Sequence, residues 1–179
     1  MSSNSNSNSS TNNIAAQDRP EGFRRVSAAL AALAHHQVPV WLDVAARTSQ
    51  QAADALHVVV GQIAKSVVFR RLADDAAVIV VAAGDRRVDV DKVAAITGAI
   101  GRADAGFVKA ATGFVIGGVA PLAHATTHAI KPVMVIDSAL FRFDVIWAAA
   151  GHPNGVFCLT PQQLVLITGA PVHDVAVAP

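Results

Sequence analysis

One lysine of this chain lies inside an apolar run, where a charged side chain is unusual. Lys65 stands between Ile63 and the sequence Val67-Val68-Phe69. Because burial of an unpaired ammonium costs several kcal/mol, such a lysine either extends its head to water along its apolar stem or faces a cleft with an anionic or strongly polar partner. In a cleft, the ammonium could stabilise negative charge that develops during a reaction.

A glycine-rich turn at residues 112–124 is the second segment that could form part of a site. Gly117 and Gly118 are adjacent, and Pro121 and His124 follow them. Adjacent glycines permit positive φ and let the backbone approach a ligand closely, so their amides can point into a site. The pattern alone is a weak signal, because most such sequences form ordinary turns.

Other common catalytic patterns are missing from the sequence. His124 and His128 have the spacing of a helical metal-ligand pair, but they lie between two prolines, which favours a loop. The glycines match neither a phosphate-binding loop nor a dinucleotide fingerprint, and no Gly-x-Ser-x-Gly sequence is present. The only glutamate, Glu21, lies at an expected helix start, which argues against a glutamate general base. We expect no metal ion and no cofactor.

The lysine segment and the glycine-rich turn together resemble the YbaK/EbsC family. Its members are free-standing aminoacyl-tRNA deacylases related to the editing insertion of bacterial prolyl-tRNA synthetase. The resemblance continues in the same order through residues 82–89, 132–137 and 146–151. It implies hydrolysis of the ester bond of mischarged aminoacyl-tRNA, with tRNA for proline as the favoured substrate. It also implies that a neighbouring ribose hydroxyl of the substrate assists the reaction.

The resemblance also implies roles for individual residues. Lys65 would contact the ribose or the aminoacyl group, and the amides around Gly117 and Gly118 would orient the aminoacyl carbonyl, which makes these three the expected catalytic residues. Substrate-binding roles fall to four further residues, namely Ile63, Pro121, His124 and Asp137.

Pro121 would stiffen the turn, and His124 would contact the terminal nucleotide or organise a water. Asp137 would pair with Lys65 or cap the turn that begins at Ser138. Many relatives carry Pro-Phe-Gly-His where this chain has Leu122-Ala123-His124, a difference that bears on pocket size and on the role of the histidine.

A non-catalytic function is the alternative. The same cleft would then bind an aminoacyl-adenosine-like ligand or a partner such as prolyl-tRNA synthetase, and Lys65 would be only an anchor. The net charge of +1 gives no global argument for RNA binding, but phosphate contacts need only a local basic surface. Candidates are the pairs Arg70-Arg71 and Arg86-Arg87, with Arg102 and Lys109 further along the chain.

Composition predicts one folded domain at residues 18–179, preceded by a disordered Ser/Asn-rich tail at residues 1–17. No run of apolar residues is long enough to predict a membrane span. The single cysteine, Cys158, lies in an apolar strand and is interpreted as a core residue. Because it cannot form an internal disulfide, a reducing cytoplasm is the simplest location.

Helix and strand signals are interspersed along the chain. Residues that can cap helices occur at Asp18, Thr48, Asp89 or Asp91, Asp104 and Thr160. Apolar runs predict strands at residues 38–42, 63–71, 77–82, 133–136, 145–149 and 156–159. A turn near residues 73–75 and an Asn-Gly turn at residues 152–155 predict that the second and third strands, and the last two strands, form hairpins. These elements predict an α+β domain with a single mixed, largely antiparallel sheet or barrel-like arrangement flanked by helices.

Overall fold

The computed structural model describes residues 18–178. The predicted tail at residues 1–17 lies outside this range. Within it, the chain forms an α+β fold, as the sequence predicted, with five α-helices and an eight-stranded sheet. The helices are α1 Glu21–Ala32, α2 Ser49–Leu56, α3 Val90–Thr97, α4 Ala105–Thr112 and α5 Pro161–Thr168. The strands are β1 Val40–Trp41, β2 Ile63–Arg71, β3 Ala77–Ala83, β4 Ile100–Arg102, β5 Val133–Asp137, β6 Ile146–Ala149, β7 Gly155–Leu159 and β8 Val172–His173.

The sheet is mixed, with the strand order β1-β7-β6-β2-β3-β5-β8 and with β4 also paired to β2. Strand pairs β1–β7, β6–β7, β2–β3 and β2–β4 are antiparallel. Strand pairs β2–β6, β3–β5 and β5–β8 are parallel. The predicted hairpins β2–β3 and β6–β7 are therefore confirmed, and parallel pairing joins them into one sheet.

Four of the predicted capping residues stand at helix starts, whereas α1 begins after Pro20 without a side-chain cap, so the cap predicted at Asp18 is not formed. The side chains of Thr48, Asp89, Asp104 and Thr160 each accept hydrogen bonds from backbone N–H groups in the first turn of the helix that follows. These bonds satisfy N–H groups that have no partner inside the helix. The cap at Thr48 matters most for function, because it fixes the start of α2 beside the cavity described below.

Strand β3 is the centre of the fold and is buried along its whole length. On one sheet face, Val81 and Ala83 pack in the larger core with residues of α1, such as Val26 and Leu30. On the other face, Val80 belongs to a smaller apolar cluster. Two covered faces explain why β3 is apolar throughout and does not alternate. No helix within residues 18–178 is long and apolar enough to cross a membrane.

Candidate active site

Strand β2 has a gap in its pairing on the side away from β3. On this side Ile63 and Ala64 pair with β6, and Phe69, Arg70 and Arg71 pair with β4. Residues 65–68 between them have no strand partner there. The gap leaves an open strand edge in the middle of an otherwise paired sheet.

The hydrogen bonds at the end of β2 show which residues face this gap. The N–H of Arg71 donates to the carbonyl of Ala76, which directly precedes β3. The N–H of Leu72 donates to the carbonyl of Ala99, which directly precedes β4 on the other side. Because backbone groups of a strand point alternately to its two sides, odd-numbered residues face β3 and even-numbered residues face the gap. The backbone N–H and C=O of Ser66 therefore lie at the open edge.

A cavity of about 280 Å³ lies against the gap. Its floor is formed by β2 and β6, including Ile63, Lys65 and Ser66 with Trp147. Its rim comes from the start of α2 and from two turns, with Arg47, Thr48, Ser49, Gly117 and Pro153. The lining is mainly apolar with a few polar groups, which is the usual composition of a small-molecule site.

The Lys65 side chain is half-buried and held by backbone carbonyls. Its Nζ donates to the carbonyl of Arg86 at 2.6 Å and, more weakly, to that of Gly84 at 3.4 Å. Gly84 has no room for a side chain, because a Cβ there would lie 2.3 Å from the carbonyl oxygen of Val60. Since an ammonium has three donors, this anchoring leaves one N–H of Lys65 for a further partner.

The pKa of Lys65 is lowered, and burial is the main cause. Loss of hydration disfavours the ammonium, while the negative charges of Asp85 and Asp137 act in the opposite direction. The Asp85 carboxylate forms a 2.7 Å ion pair with Arg142, which lowers the pKa of Asp85 and offsets part of its charge. In its ammonium form Lys65 is therefore incompletely solvated, a state in which a charge interacts strongly with a ligand.

Asp137 is fully buried at the end of β5 and caps the following short 3₁₀-helix, Ser138–Arg142, by accepting from the N–H of Ala139. Of the two roles considered for it, the structure shows the cap and no ion pair with Lys65 among the described residues. The register places Lys65 and Asp137 on the two strands that flank Ala82. Their Cα atoms are therefore about 10 Å apart across the sheet. Asp137 thus acts on Lys65 through its charge.

The two glycines of the turn differ in their surroundings. Gly117 has a φ of +84° and lines the cavity, and its N–H has no protein acceptor within the described part of the chain. The N–H of Gly118 donates to the carbonyl of Val115 at 3.0 Å. A Cβ on Gly118 would lie 2.7 Å from the backbone of His152. Gly118 thus allows close packing of two turns, whereas Gly117 has a free amide near the cavity.

His124 and Pro121 lie behind the turn and do not line the cavity. The His124 ring nitrogen Nε2 is 2.8 Å from the carbonyl oxygen of Ala120, and the ring packs edge-on against Phe114. Burial lowers the pKa of His124, which favours the neutral imidazole. Arg25 of α1 holds the same segment by donating to the carbonyl of Ala123. These contacts fix the turn from behind.

The structure brings together only part of the set expected from the sequence. Ile63, Lys65 and Gly117 line the cavity, while Gly118, Pro121, His124 and Asp137 do not. Sequence reasoning missed the cavity residues Arg47, Thr48, Ser49, Ser66, Trp147 and Pro153. The capping sequence at Thr48 and the turn at residues 152–155 were recognised as local structure, but neither signal indicates what the segment packs against.

Comparison with known proteins gives consistent matches. Residues 30–167 match the family model described as the aminoacyl-tRNA editing domain. The uncharacterised protein YwhH of Bacillus subtilis (strain 168) is 35% identical over 125 residues, which cover 68% of this chain and 75% of YwhH. A solved structure of a proposed trans-editing enzyme for prolyl-tRNA synthetase is 33% identical, with a TM-score of 0.80, and covers 90% of this chain and 100% of that one. The structure of the hypothetical protein APE2540 is 27% identical, with a TM-score of 0.77, and the match covers 86% of this chain and 99% of APE2540.

Proposed function

The chain belongs to the aminoacyl-tRNA editing domain family, and on this premise we propose that it is a deacylase that hydrolyses the ester bond of mischarged aminoacyl-tRNA. The observation that carries the proposal is the position of Lys65, a desolvated cation beside a mainly apolar cavity of about 280 Å³. A cavity of this size is suited to the small aminoacyl end of a tRNA. The ammonium is suited to the negative charge that develops in ester hydrolysis.

The proposed mechanism divides the work between substrate and protein. A water oxygen attacks the ester carbonyl carbon, and the neighbouring ribose hydroxyl of the terminal adenosine relays the water's proton to the leaving ribose oxygen. The bond between the carbonyl carbon and that oxygen breaks, which gives a free amino acid and an uncharged tRNA. The chain itself then has to supply position and electrostatic stabilisation and no nucleophile.

Each protein group in this mechanism has a stated task. The free N–H of Lys65 contacts the ribose or the ester and stabilises developing negative charge. The amide of Gly117 points to the aminoacyl carbonyl, and Ile63 and Trp147 form the apolar wall beside the amino-acid side chain. Gly118, Pro121, His124 and Asp137 are positioning residues, because they hold the turn and the strand end without lining the cavity.

The finer proposal is that the mischarged substrate is tRNA for proline. It is supported by the 33% identity to a proposed trans-editing enzyme for prolyl-tRNA synthetase. The amino acid removed is a separate question, since a small apolar pocket discriminates by only about 1–3 kcal/mol per methylene.

A deacylation panel tests the function directly. Purified protein is incubated with tRNA for proline charged with alanine, cysteine, serine or 2-aminobutyrate. The controls are proline on the same tRNA, and alanine, cysteine and serine on their own tRNAs. We expect at least one mischarged tRNA for proline to be hydrolysed faster than its correctly charged counterpart. Tight binding of these tRNAs without hydrolysis of any of them would instead identify a non-catalytic binding module.

We expect the rate of deacylation to fall as the pH is raised, and to do so at a pH below 10.5, the usual pKa of lysine. Because burial lowers the pKa of Lys65, its ammonium loses the proton at a lower pH than an exposed lysine would. If the ammonium is the active form, kcat falls as the pH rises through this pKa. A neutral amine that acts as a base would give the opposite slope. The measurement is kcat against pH, corrected for spontaneous ester hydrolysis.

Lys65→Arg is the matched control for this profile. The guanidinium stays charged throughout the accessible range, so the alkaline decline should vanish even if the rate is lower. A decline at the same pH in Lys65→Arg would assign the titration to another group.

A further inference from the structure

A second cavity, of about 320 Å³, lies beside the first and has a basic lining. Arg86, Lys92 and Arg142 contribute positive charge to it, and Asp174 is its one acidic lining residue. Because Arg142 is also paired with Asp85 beside the cavity, the three cations face two carboxylates, which leaves an excess of one positive charge. This arrangement suits an anion with more than one oxygen, such as a phosphate group.

Two of the three cations are already held in place by carboxylates. Lys92 forms a 2.9 Å ion pair with Asp174 and also donates to the carbonyl of Ala176. Arg142 forms a 2.7 Å ion pair with Asp85. Such contacts fix the two side chains in advance and lower the entropy cost of binding a ligand.

The third cation, Arg86, has no side-chain hydrogen bond or ion pair to any residue among 18–178. Its side chain is partly buried, so its guanidinium is not a freely solvated surface charge. The five N–H donors of a guanidinium match the oxygens of a phosphate. The carboxylates of Asp85 and Asp174 interact with Arg86 only through their charges, so the N–H donors of its guanidinium remain available to an anion.

Arg86 also connects the two cavities. Its backbone carbonyl accepts the 2.6 Å hydrogen bond from Lys65, while its side chain lines the second cavity. Arg86 therefore contacts the lysine of the first cavity and also lines the second. One ligand with an ester and a nearby phosphate group could contact both Lys65 and Arg86.

We propose that the cavity lined by Arg86, Lys92 and Arg142 is a phosphate subsite that binds a backbone phosphodiester of the substrate RNA next to the aminoacylated ribose. This inference rests on the proposed function for the identity of the RNA. It assigns the Arg86 side chain to RNA binding and separates it from Arg87, which is exposed and lines neither cavity.

The test measures equilibrium binding of uncharged tRNA at several salt concentrations, so it does not depend on catalysis. Arg86→Gln removes the charge but keeps the backbone carbonyl that holds Lys65. We expect it to weaken binding at low salt about tenfold, as the loss of a charge-assisted hydrogen bond would. The slope of log K against log salt should fall in magnitude by about 0.7–0.9 for each phosphate that the variant no longer neutralises.

Arg87→Gln is the matched control, because it removes the same charge one residue away. Its slope should equal that of the wild type, and an equal weakening of binding in the two variants would overturn the proposal in favour of a diffuse basic surface. Ser138→Asp adds a carboxylate at the cavity and should also weaken binding, whereas Ser138→Asn should not. Weakening by both Ser138 variants alike, or by neither, would contradict the subsite.

Inorganic phosphate separates an RNA subsite from a site for the free ion. We expect millimolar sodium phosphate to compete with tRNA no better than sodium chloride of equal ionic strength, because one isolated contact is weak. Specific competition that Arg86→Gln abolishes would assign the cavity to free phosphate and overturn the proposal. If the wild type binds tRNA through Arg86 but hydrolyses no aminoacyl-tRNA, the proposed function fails while the subsite stands.

Discussion

Replacement of Lys65 by alanine is expected to lower kcat for deacylation by about 10²–10³, the usual cost of removing a preorganised electrostatic interaction. The reason is that Lys65 is the only ammonium or guanidinium group held by backbone carbonyls beside the described cavity. Loss of the amine removes the charge, and no other described lysine lines the cavity. Single-turnover rates on the best substrate of the deacylation panel provide the measurement.

Two further variants separate catalysis from folding. Lys65→Met keeps an apolar stem of similar length and should be as inactive as Lys65→Ala, because only the charge matters. Lys131→Ala removes an exposed lysine that lines neither cavity and should keep the wild-type rate. If Lys65→Met were as active as wild type while thermal unfolding remained cooperative, the catalytic role of Lys65 would be refuted.

Removal of the substrate's assisting hydroxyl should reduce hydrolysis by about 10²–10⁴, the contribution typical of a positioned proton-transfer group. The cavity contains Thr48, Ser49 and Ser66 as its hydroxyl-bearing lining residues, and no histidine or carboxylate lines it within the described chain. No imidazole or carboxylate is therefore available there as a base for the water, and the proposed mechanism passes the proton through the substrate. The comparison is between aminoacyl-tRNAs that end in adenosine and in the deoxyadenosine lacking the neighbouring hydroxyl.

The control places the same deoxy substitution one nucleotide further from the ester, where it should have no effect on kcat. Treatment with a chelator should also leave the rate unchanged, because residues 18–178 contain no cluster of three or more potential metal ligands. Full activity on the deoxyadenosine-terminated substrate would refute the assisted mechanism. Loss of activity with chelator would direct attention to His124 and His128.

The fold was predictable to the extent that its signals are local. Alternating turns and apolar runs indicated the two hairpins, and capping residues such as Thr160 marked the helix starts. The short strands β4 and β8 were not predicted, because three or two residues carry no periodicity. The parallel pairing of β2 with β6 joins residues more than eighty positions apart, and nothing in either segment specifies that partner.

The candidate site shows the same division between local and distant information. Lys65 was identified because its apolar neighbours make a charge costly at that position. His124 was expected to contact the terminal nucleotide or to organise a water, and in the structure its ring contacts the carbonyl of Ala120 behind the turn. A histidine after a glycine-rich turn gives the same sequence signal in either orientation. The position of the Arg86 side chain likewise depends on the C-terminal segment around Asp174 that closes the second cavity.

The gap in β2 also bears on whether strands of other molecules can add to the sheet. An open strand edge is a place where strands of other molecules can add, and long edges of this kind promote aggregation. Residues 65–68 span only about 13 Å, shorter than a strand of about five to six residues. A foreign strand of ordinary length would collide with β6 at one end or β4 at the other. The flanking strands thus restrict this edge to ligands that are shorter than an ordinary strand.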